Sequence, residues 1–490
     1  MRYLSLSLAP HPLVSIIFVL AFAANFFVIT PVFFNPDIPF HLKAGEWILE
    51  HGRIPVLDPW SYTASDTRWL NISWLWDICI YQIFSTMGAE GMYVVLALLG
   101  ALTVAMSGYS VLKRGQADQT HILLTSGLLW LGLLPFLYMQ PQMITFVLTP
   151  VFHFLCHNYR SGKVDKKRTA QMMCLMILWV NTHGGFFIGL CIPAAYALTA
   201  YMQRDMQQFR AFTITVALCA LTCLVNPYHV FILEAVLRSL DSVITPYIRE
   251  WHPPPLSNFA VSLPLFLFIV SSNVHNPRVP ITDRIMVFTS LLFGLVVARN
   301  YPIFLLIAMP YLASNLQEFA RATQGKKFTS EVWISGSTYH RMRLSIFTAV
   351  TVFLLANPFT LSSLVDPEKF DSDPFRLREA VTYLKTRYPG TRFINGYNLG
   401  GGLIFHGDGN WPVFVDGRAG TAYPETVLED AIQFNYAAGG ERTAEASAIL
   451  EKYNIGGILV FRMHRFAENP PSPEWKEVFR SDTIIAYVRE

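Results

Sequence analysis

Asp37 and His41 lie four residues apart in the polar segment Asn35-Pro36-Asp37-Ile38-Pro39-Phe40-His41, directly after a long apolar run. A helix starting near Ile38 would carry both side chains on one face, about one turn apart. A carboxylate so placed can accept the proton of a hydroxyl as general base, and an imidazole beside it can orient the carboxylate or the hydroxyl. Lys43 follows on the same segment, and Asp58 (in Asp58-Pro59-Trp60-Ser61) and Asp77 come later in the same loop. Further on stand His183 in Asn181-Thr182-His183-Gly184-Gly185, His229 in Asn226-Pro227-Tyr228-His229, Glu250 in Arg249-Glu250-Trp251-His252-Pro253, and Arg299 before Asn300. Each has a plain alternative. Asp37 fits a helix N-cap, Asp58 a turn, Asp77 a structural partner, His183 a tight-turn residue and Arg299 a cation reaching toward phosphates.

The elements that would position these groups are membrane helices. Of the 490 residues 52% are hydrophobic and only 14% charged, against roughly 25% charged in a soluble domain. Mean hydropathy is +0.36, which marks a polytopic membrane protein. The net charge of +3 is too small to point to nucleic acid. The run Leu13 to Phe34 is longer than a signal-peptide core and is read as a retained first span. The six cysteines are scattered mostly through apolar runs, at spacings that match neither a disulfide framework nor a zinc site.

Further apolar runs begin near Gly91, His121, Met143, Gln171, Gly184, Ala211, Phe259, Ile285, Pro302 and Leu344, giving about eleven crossings. Lysine and arginine gather on alternate connections: Lys113-Arg114, Arg160 to Arg168, Arg204 with Arg210, Arg278 with Arg284, and Arg321 to Arg343. The positive-inside bias makes these connections and the N-terminus cytoplasmic, and an odd number of crossings sends the C-terminus outside. Trp69 to Gly88 is apolar but rich in tryptophan and tyrosine. It is expected to lie along the outer surface, inside a first outer loop of residues 35–90. With this topology the ionisable groups named above all fall at the outer boundary. Such groups at a bilayer edge mark a functional site by default. Span centres nearly free of charge, and the absence of an internal repeat, speak against a secondary transporter.

From about Asp366 the chain reads as soluble, so residues 1–365 form the transmembrane domain and 366–490 a small α/β domain outside. Asp373-Pro374 caps a helix with a Leu377, Val381, Leu384 stripe. Strands are expected at Arg392 to Ile394, Val413 to Val415 and Gly457 to Phe461, with a hairpin at the end. Asn398-Leu399-Gly400-Gly401-Gly402 reads as a plain turn. Asp416-Gly417-Arg418 follows a strand and offers either a site at the strand end or a local ion pair.

The first loop resembles that of the integral-membrane glycosyltransferases of the C superfamily (GT-C), in which an aspartate after the first span precedes helices along the membrane. The whole chain also resembles a group of bacterial multi-pass proteins through PDIPFHLKAGEWIL, DPWSYTA, WLWD, NTHGG, NPYH, EW and GGGL…VDGR. The resemblance implies an inner-membrane enzyme transferring a sugar from a polyprenyl-phosphate donor to an envelope acceptor, with inversion. Asp37 would be the general base and His41 its partner. His183, Arg299 and Lys43 would stabilise the departing phosphate, with Asp58, Asp77, His229, Glu250, Asp416 and Arg418 as further substrate-binding candidates. Asp37 is a single acidic residue rather than an adjacent pair, so a divalent cation bridging it to phosphate stays open. The competing readings are a lipid-linked glycan transporter or flippase, and a non-catalytic envelope-assembly scaffold.

Overall fold

The computed structural model describes residues 11–28, 35–159, 162–272, 276–324, 371, 373–436, 443–464, 466–468 and 470–490. The N-terminal part is helical: α1 (Pro12–Val28), α2 (Ile38–His51), α3 (Trp74–Arg114), α4 (Gln119–Leu133), α5 (Gln142–His157), α6 (Lys166–Val180), α7 (Phe187–Met202), α8 (Met206–Thr222), α9 (Ile232–Leu240), α10 (Phe259–Ser272), α11 (Ile281–Val296) and α12 (Tyr301–Gln324). Every apolar run from Leu13 to Pro302 named above is thus a helix. The end of the first run at 29–34, the Leu344 run and the boundary near Asp366 lie outside the described residues. Among the described residues four helices are long and apolar enough to cross a membrane: Trp74–Arg114, Gln119–Phe136, Gly184–Met202 and Ala298–Arg321. Pro12–Phe26, Gln142–His157 and Phe259–Ser272 are apolar but shorter.

The segment expected to lie on the surface becomes the first part of α3. Gly88, at φ 67° and ψ −162°, breaks the helix there. Only glycine takes that conformation cheaply, so the chain changes direction between Met87 and Ala89.

The basic connections share one end of the bundle. Arg114 Nη1 meets Asp283 Oδ2 at 2.7 Å, Gln116 Nε2 donates to the Arg278 carbonyl at 3.3 Å, and Gly162 N–H donates to Gln208 Oε1 at 3.1 Å. The turns around Thr182 and Asn300, which hold almost no lysine or arginine, lie at the other end with the first loop and the 223–258 connection. There Trp74 Nε1 donates to Asn181 Oδ1 at 2.9 Å, Asn181 Nδ2 to the Val225 carbonyl at 2.8 Å, and Ala298 N–H to the His252 carbonyl at 2.8 Å.

That second end carries the C-terminal α/β unit. Its helices are α13 (Leu377–Arg387), α14 (Gly400–His406), α15 (Glu425–Tyr436) and α16 (Thr443–Lys452). Strands β1 (Phe393–Asn395), β2 (Gly457–Phe461), β3 (Trp475–Arg480) and β4 (Ile484–Arg489) form a sheet in the order β1-β2-β4-β3. The β1–β2 pair is parallel, with Ile394 opposite Ile458; the others are antiparallel. Leu377, Ala380, Val381 and Leu384 form the buried stripe of α13, and both Asp373 oxygens cap its first turn, accepting from Leu377 N–H at 2.7 Å and Arg378 N–H at 2.9 Å.

Two expectations change here. Val413 to Val415 is not a strand of this sheet; Val413 instead makes one parallel bridge with Ser61 of the first loop. Gly400 to Gly402 do not form a plain turn but open α14. Their small size lets that helix press against its neighbours: a Cβ on Gly401 would sit 2.6 Å from the Pro36 carbonyl oxygen, and one on Gly400 2.2 Å from that of Val415. Phe40, Ala44, Trp60, Ala64 and Trp69 of the first loop share one hydrophobic core with Leu377, Ile394, Leu403, Phe414 and Ile458. Loop and C-terminal unit are therefore packed as one body.

Candidate active site

The site lies where α2, the Asn181–Gly184 turn, the Arg249–Trp251 turn, the Ala298–Asn300 turn and the C-terminal unit meet. Asp37 occupies the N-cap position of α2 but makes no capping hydrogen bond. Its backbone is already helical, at φ −85° and ψ −24°, whereas a capping residue sits in the extended region and folds its side chain back. The carboxylate instead projects onto Gly417, where a Cβ would fall 2.0 Å from Oδ1. Burial pushes the Asp37 carboxyl up to about 6; Glu250 and Asp416 act in the same direction, while His41 and Arg299 hold it down. A base with that affinity is half-poised near neutral pH.

His41, one turn on, directs Nδ1 at Asp77 Oδ1, 2.6 Å away. Asp77 is fully buried, and its Oδ2 accepts from Asn71 Nδ2 at 2.8 Å. An ionised carboxylate only accepts, so His41 carries a proton on Nδ1 and leaves Nε2 for the site. This contact needs α2 and α3 in near backbone contact, and Gly45 supplies it: a Cβ there would lie 2.1 Å from the Asp77 carbonyl oxygen. Asn71 is itself held through its N–H by the Tyr228 hydroxyl at 2.9 Å.

Arg299 Nε stands 3.5 Å from Glu250 Oε2, and its guanidinium lies 5.6 Å from the Trp251 ring centre. Nε is buried without a hydrogen-bond partner, so the cation is only loosely engaged. His183 is pushed down to about 3, by burial first and then by the positive charges of Arg299 and His41.

The sequence candidates therefore divide. Asp37 lies within electrostatic reach of His41, Glu250, Arg299 and the buried Asp416, and His183 within reach of Arg299 and His41, with Asp77 behind His41. Lys43 does not join them. Six residues after Asp37 it projects from another side of α2, where it pairs with Glu46 and Asp408, both at 2.6 Å. His229 is also apart, in a left-handed turn at φ 48° with Nδ1 3.2 Å from the Leu224 carbonyl oxygen. Asp58, Asp416 and Arg418 form a buried network. Arg418 binds Asp416 through Nε at 2.8 Å and Nη2 at 2.6 Å, donates to Asp58 through Nη1, and lies against the edge-to-face pair of Trp60 and Trp69, 5.1 and 4.9 Å from their ring centres. Tyr423 donates to Asp416 Oδ2 at 2.6 Å. With their polar atoms engaged in this way, Asp58 and Arg418 join the loop to the C-terminal unit, and the net negative charge of the network faces Asp37.

Solved structures share this arrangement of helices and C-terminal unit. An Archaeoglobus fulgidus oligosaccharyltransferase, AglB, in complex with an inhibitory peptide and a dolichol-phosphate, superposes with a TM-score of 0.56 at 12% identity, covering 91% of this chain and 69% of that one. The same organism's enzyme tethered to an acceptor peptide gives 0.55 at 12% identity, covering 97% and 74%. The chain shares the fold of these structures. ArnT from Cupriavidus metallidurans also matches, with a TM-score of 0.48 at 13% identity over 97% of both chains. No protein-family model and no curated protein sequence matches the chain.

Within this fold, no three His, Cys, Asp or Glu side chains converge among the described residues as a cation's ligand set. Asp77 is committed to His41 and Asp416 to Arg418, while Glu250 is only loosely paired with Arg299. A divalent cation caged by side chains does not fit, and Asp37 remains a lone potential ligand. The residues missed by sequence reasoning are the supports: Asn71, Thr145, Asn181, Tyr228, Gly45 and Gly417. Most of them sit inside or beside the motifs that carry the resemblance, which was the available signal.

Proposed function

We propose that this protein is an inverting glycosyltransferase of a bacterial inner membrane, taking a sugar from a polyprenyl-phosphate donor and passing it to an envelope acceptor at the outer face. The observation that carries this reading is the convergence of Asp37, His41, His183, Glu250 and Arg299, from stretches far apart in sequence, at the end of the bundle opposite the basic connections. The positive-inside bias turns that basic end to the cytoplasm, with about eleven crossings and the C-terminal unit in the periplasm. Trp74 to Met87 then lies along the outer surface.

Asp37 takes the acceptor hydroxyl's proton as the hydroxyl oxygen attacks the anomeric carbon. The carbon–oxygen bond to phosphate breaks, its electron pair leaves with the phosphate, and the configuration inverts. His41, oriented by Asp77, positions Asp37 or the acceptor. Arg299 faces the charge that grows on the departing phosphate, the most effective use of a fixed cation. No general acid is required, because a lipid phosphate leaves readily.

Mass analysis of envelope glycans and lipids with and without the gene tests the reading. Loss of one sugar from an envelope glycan or lipid, with build-up of a polyprenyl-phosphate sugar, is expected. Identical profiles would contradict it.

A further inference from the structure

His183 was expected to act as a cation, and its hydrogen bonds forbid that. The Trp179 indole N–H can only donate, and it donates to Thr145 Oγ1 at 2.8 Å. Thr145 Oγ1 lies 2.7 Å from His183 Nδ1, and the Gly185 N–H donates to the same nitrogen at 3.1 Å. A backbone amide keeps its proton, so Nδ1 is an acceptor and the ring's one proton is on Nε2. An imidazolium would set N–H against N–H. Thr145 and Trp179 are buried, at 2% and 0% exposure, so no water can take over either contact.

A second observation points the same way. A Cβ on Gly185 would fall 2.7 Å from His183 Nδ1 and 2.8 Å from Thr145 Oγ1. The second glycine of Asn181-Thr182-His183-Gly184-Gly185 is thus the residue that lets the amide and the hydroxyl reach one nitrogen. Nε2 has no hydrogen-bond partner among the described residues, and the half-buried ring lies within electrostatic reach of Arg299 and His41.

We propose that His183 is a neutral hydrogen-bond donor, through Nε2, to a phosphate oxygen of the lipid-phosphate ligand, and that Thr145 and Trp179 are positioning residues fixing its tautomer. This rests on the function proposed above. Beside Arg299, a neutral donor adds a hydrogen bond to phosphate without a second positive charge to repel the first.

The test uses the full-length protein in nanodiscs and undecaprenyl phosphate as probe, with binding measured in the absence of any sugar. His183→Gln keeps an N–H donor near the place of Nε2, whereas His183→Asn reaches only to that of Nδ1. Binding by His183→Gln within about threefold of wild type, and at least tenfold weakening by His183→Asn, are expected from loss of one hydrogen bond to a charged group. Thr145→Ser should bind like wild type, and Thr145→Val and Gly185→Ala should weaken binding with the fold intact. The wild-type to His183→Gln affinity ratio should stay constant from pH 5 to 8. A ratio that climbs as pH falls through 6, or full binding by His183→Asn or His183→Lys, would overturn the proposal. Absence of binding by the wild type itself would overturn the lipid-phosphate reading with it. Binding with no sugar transfer would overturn only the enzymatic reading.

Discussion

Gly417→Ala is the smallest perturbation that reaches the candidate base without touching it. An added Cβ would stand 2.0 Å from Asp37 Oδ1, 3.1 Å from its Cγ and 3.3 Å from the Phe40 ring. A carbon and an oxygen in ordinary contact sit more than 3 Å apart, so the carboxylate must retreat by about 1 Å. Gly417 is not in the left-handed region, so the substitution carries this steric cost without backbone strain. A misplacement of about 1 Å at a reacting group can cost about 100-fold in rate, equivalent to about 2.7 kcal/mol of barrier. The assay is sugar transfer from a polyprenyl-phosphate donor in proteoliposomes, beside undecaprenyl phosphate binding and a thermal unfolding scan. Transfer should fall about 100-fold while binding and unfolding temperature change little. A Gly417→Ala protein that transfers at the wild-type rate would refute the placement of Asp37 against this loop as catalytically relevant.

Asp37 also sets a pH dependence. Its carboxyl rises from 3.8 to about 6 in the fold, so transfer should climb as pH rises through about 6 and level above it, read from rate against pH. The same rise means that the protonated form is favoured in the folded state. Wild-type stability relative to Asp37→Asn should therefore decline between about pH 4 and 6, by up to about 3 kcal/mol, measured by denaturant titration of both proteins. Arg299→Ala should weaken donor binding 10- to 100-fold through loss of a charge-assisted contact, seen as a raised donor KM. Arg418→Met leaves two buried carboxylates without their cation and should destabilise the joint between loop and C-terminal unit by about 3–5 kcal/mol, seen as new protease cleavage between residues 52 and 73.

The helices were legible because apolar length and the alternation of basic connections are one-dimensional signals. Asp37, His41, His183, Glu250 and Arg299 were legible as a group because topology alone sends them to one end. Lys43, Asp58, Asp416 and Arg418 were not separable from that group in sequence, since a buried pair and a binding residue look alike until partners are known. Arg418 finds Asp58 across 360 positions, a contact that no local pattern announces. The glycines were misread for a related reason. Gly400 to Gly402 were taken for a turn and Gly417 was given no role, while these glycines let backbone and carboxylate approach from remote segments. His183 was assigned a charge that only its neighbours Thr145 and Gly185 rule out.

The central claim is that the Asp37 carboxylate removes the acceptor's proton. Asp37→Asn preserves size and leaves the packing against Gly417 nearly unchanged, so the decisive measurement is its rate of sugar transfer in proteoliposomes beside its affinity for undecaprenyl phosphate. A fall of about 100- to 10,000-fold in rate, the usual worth of a general base, with affinity within a few-fold of wild type, is the predicted result. Transfer at the wild-type rate by a folded Asp37→Asn protein would contradict it.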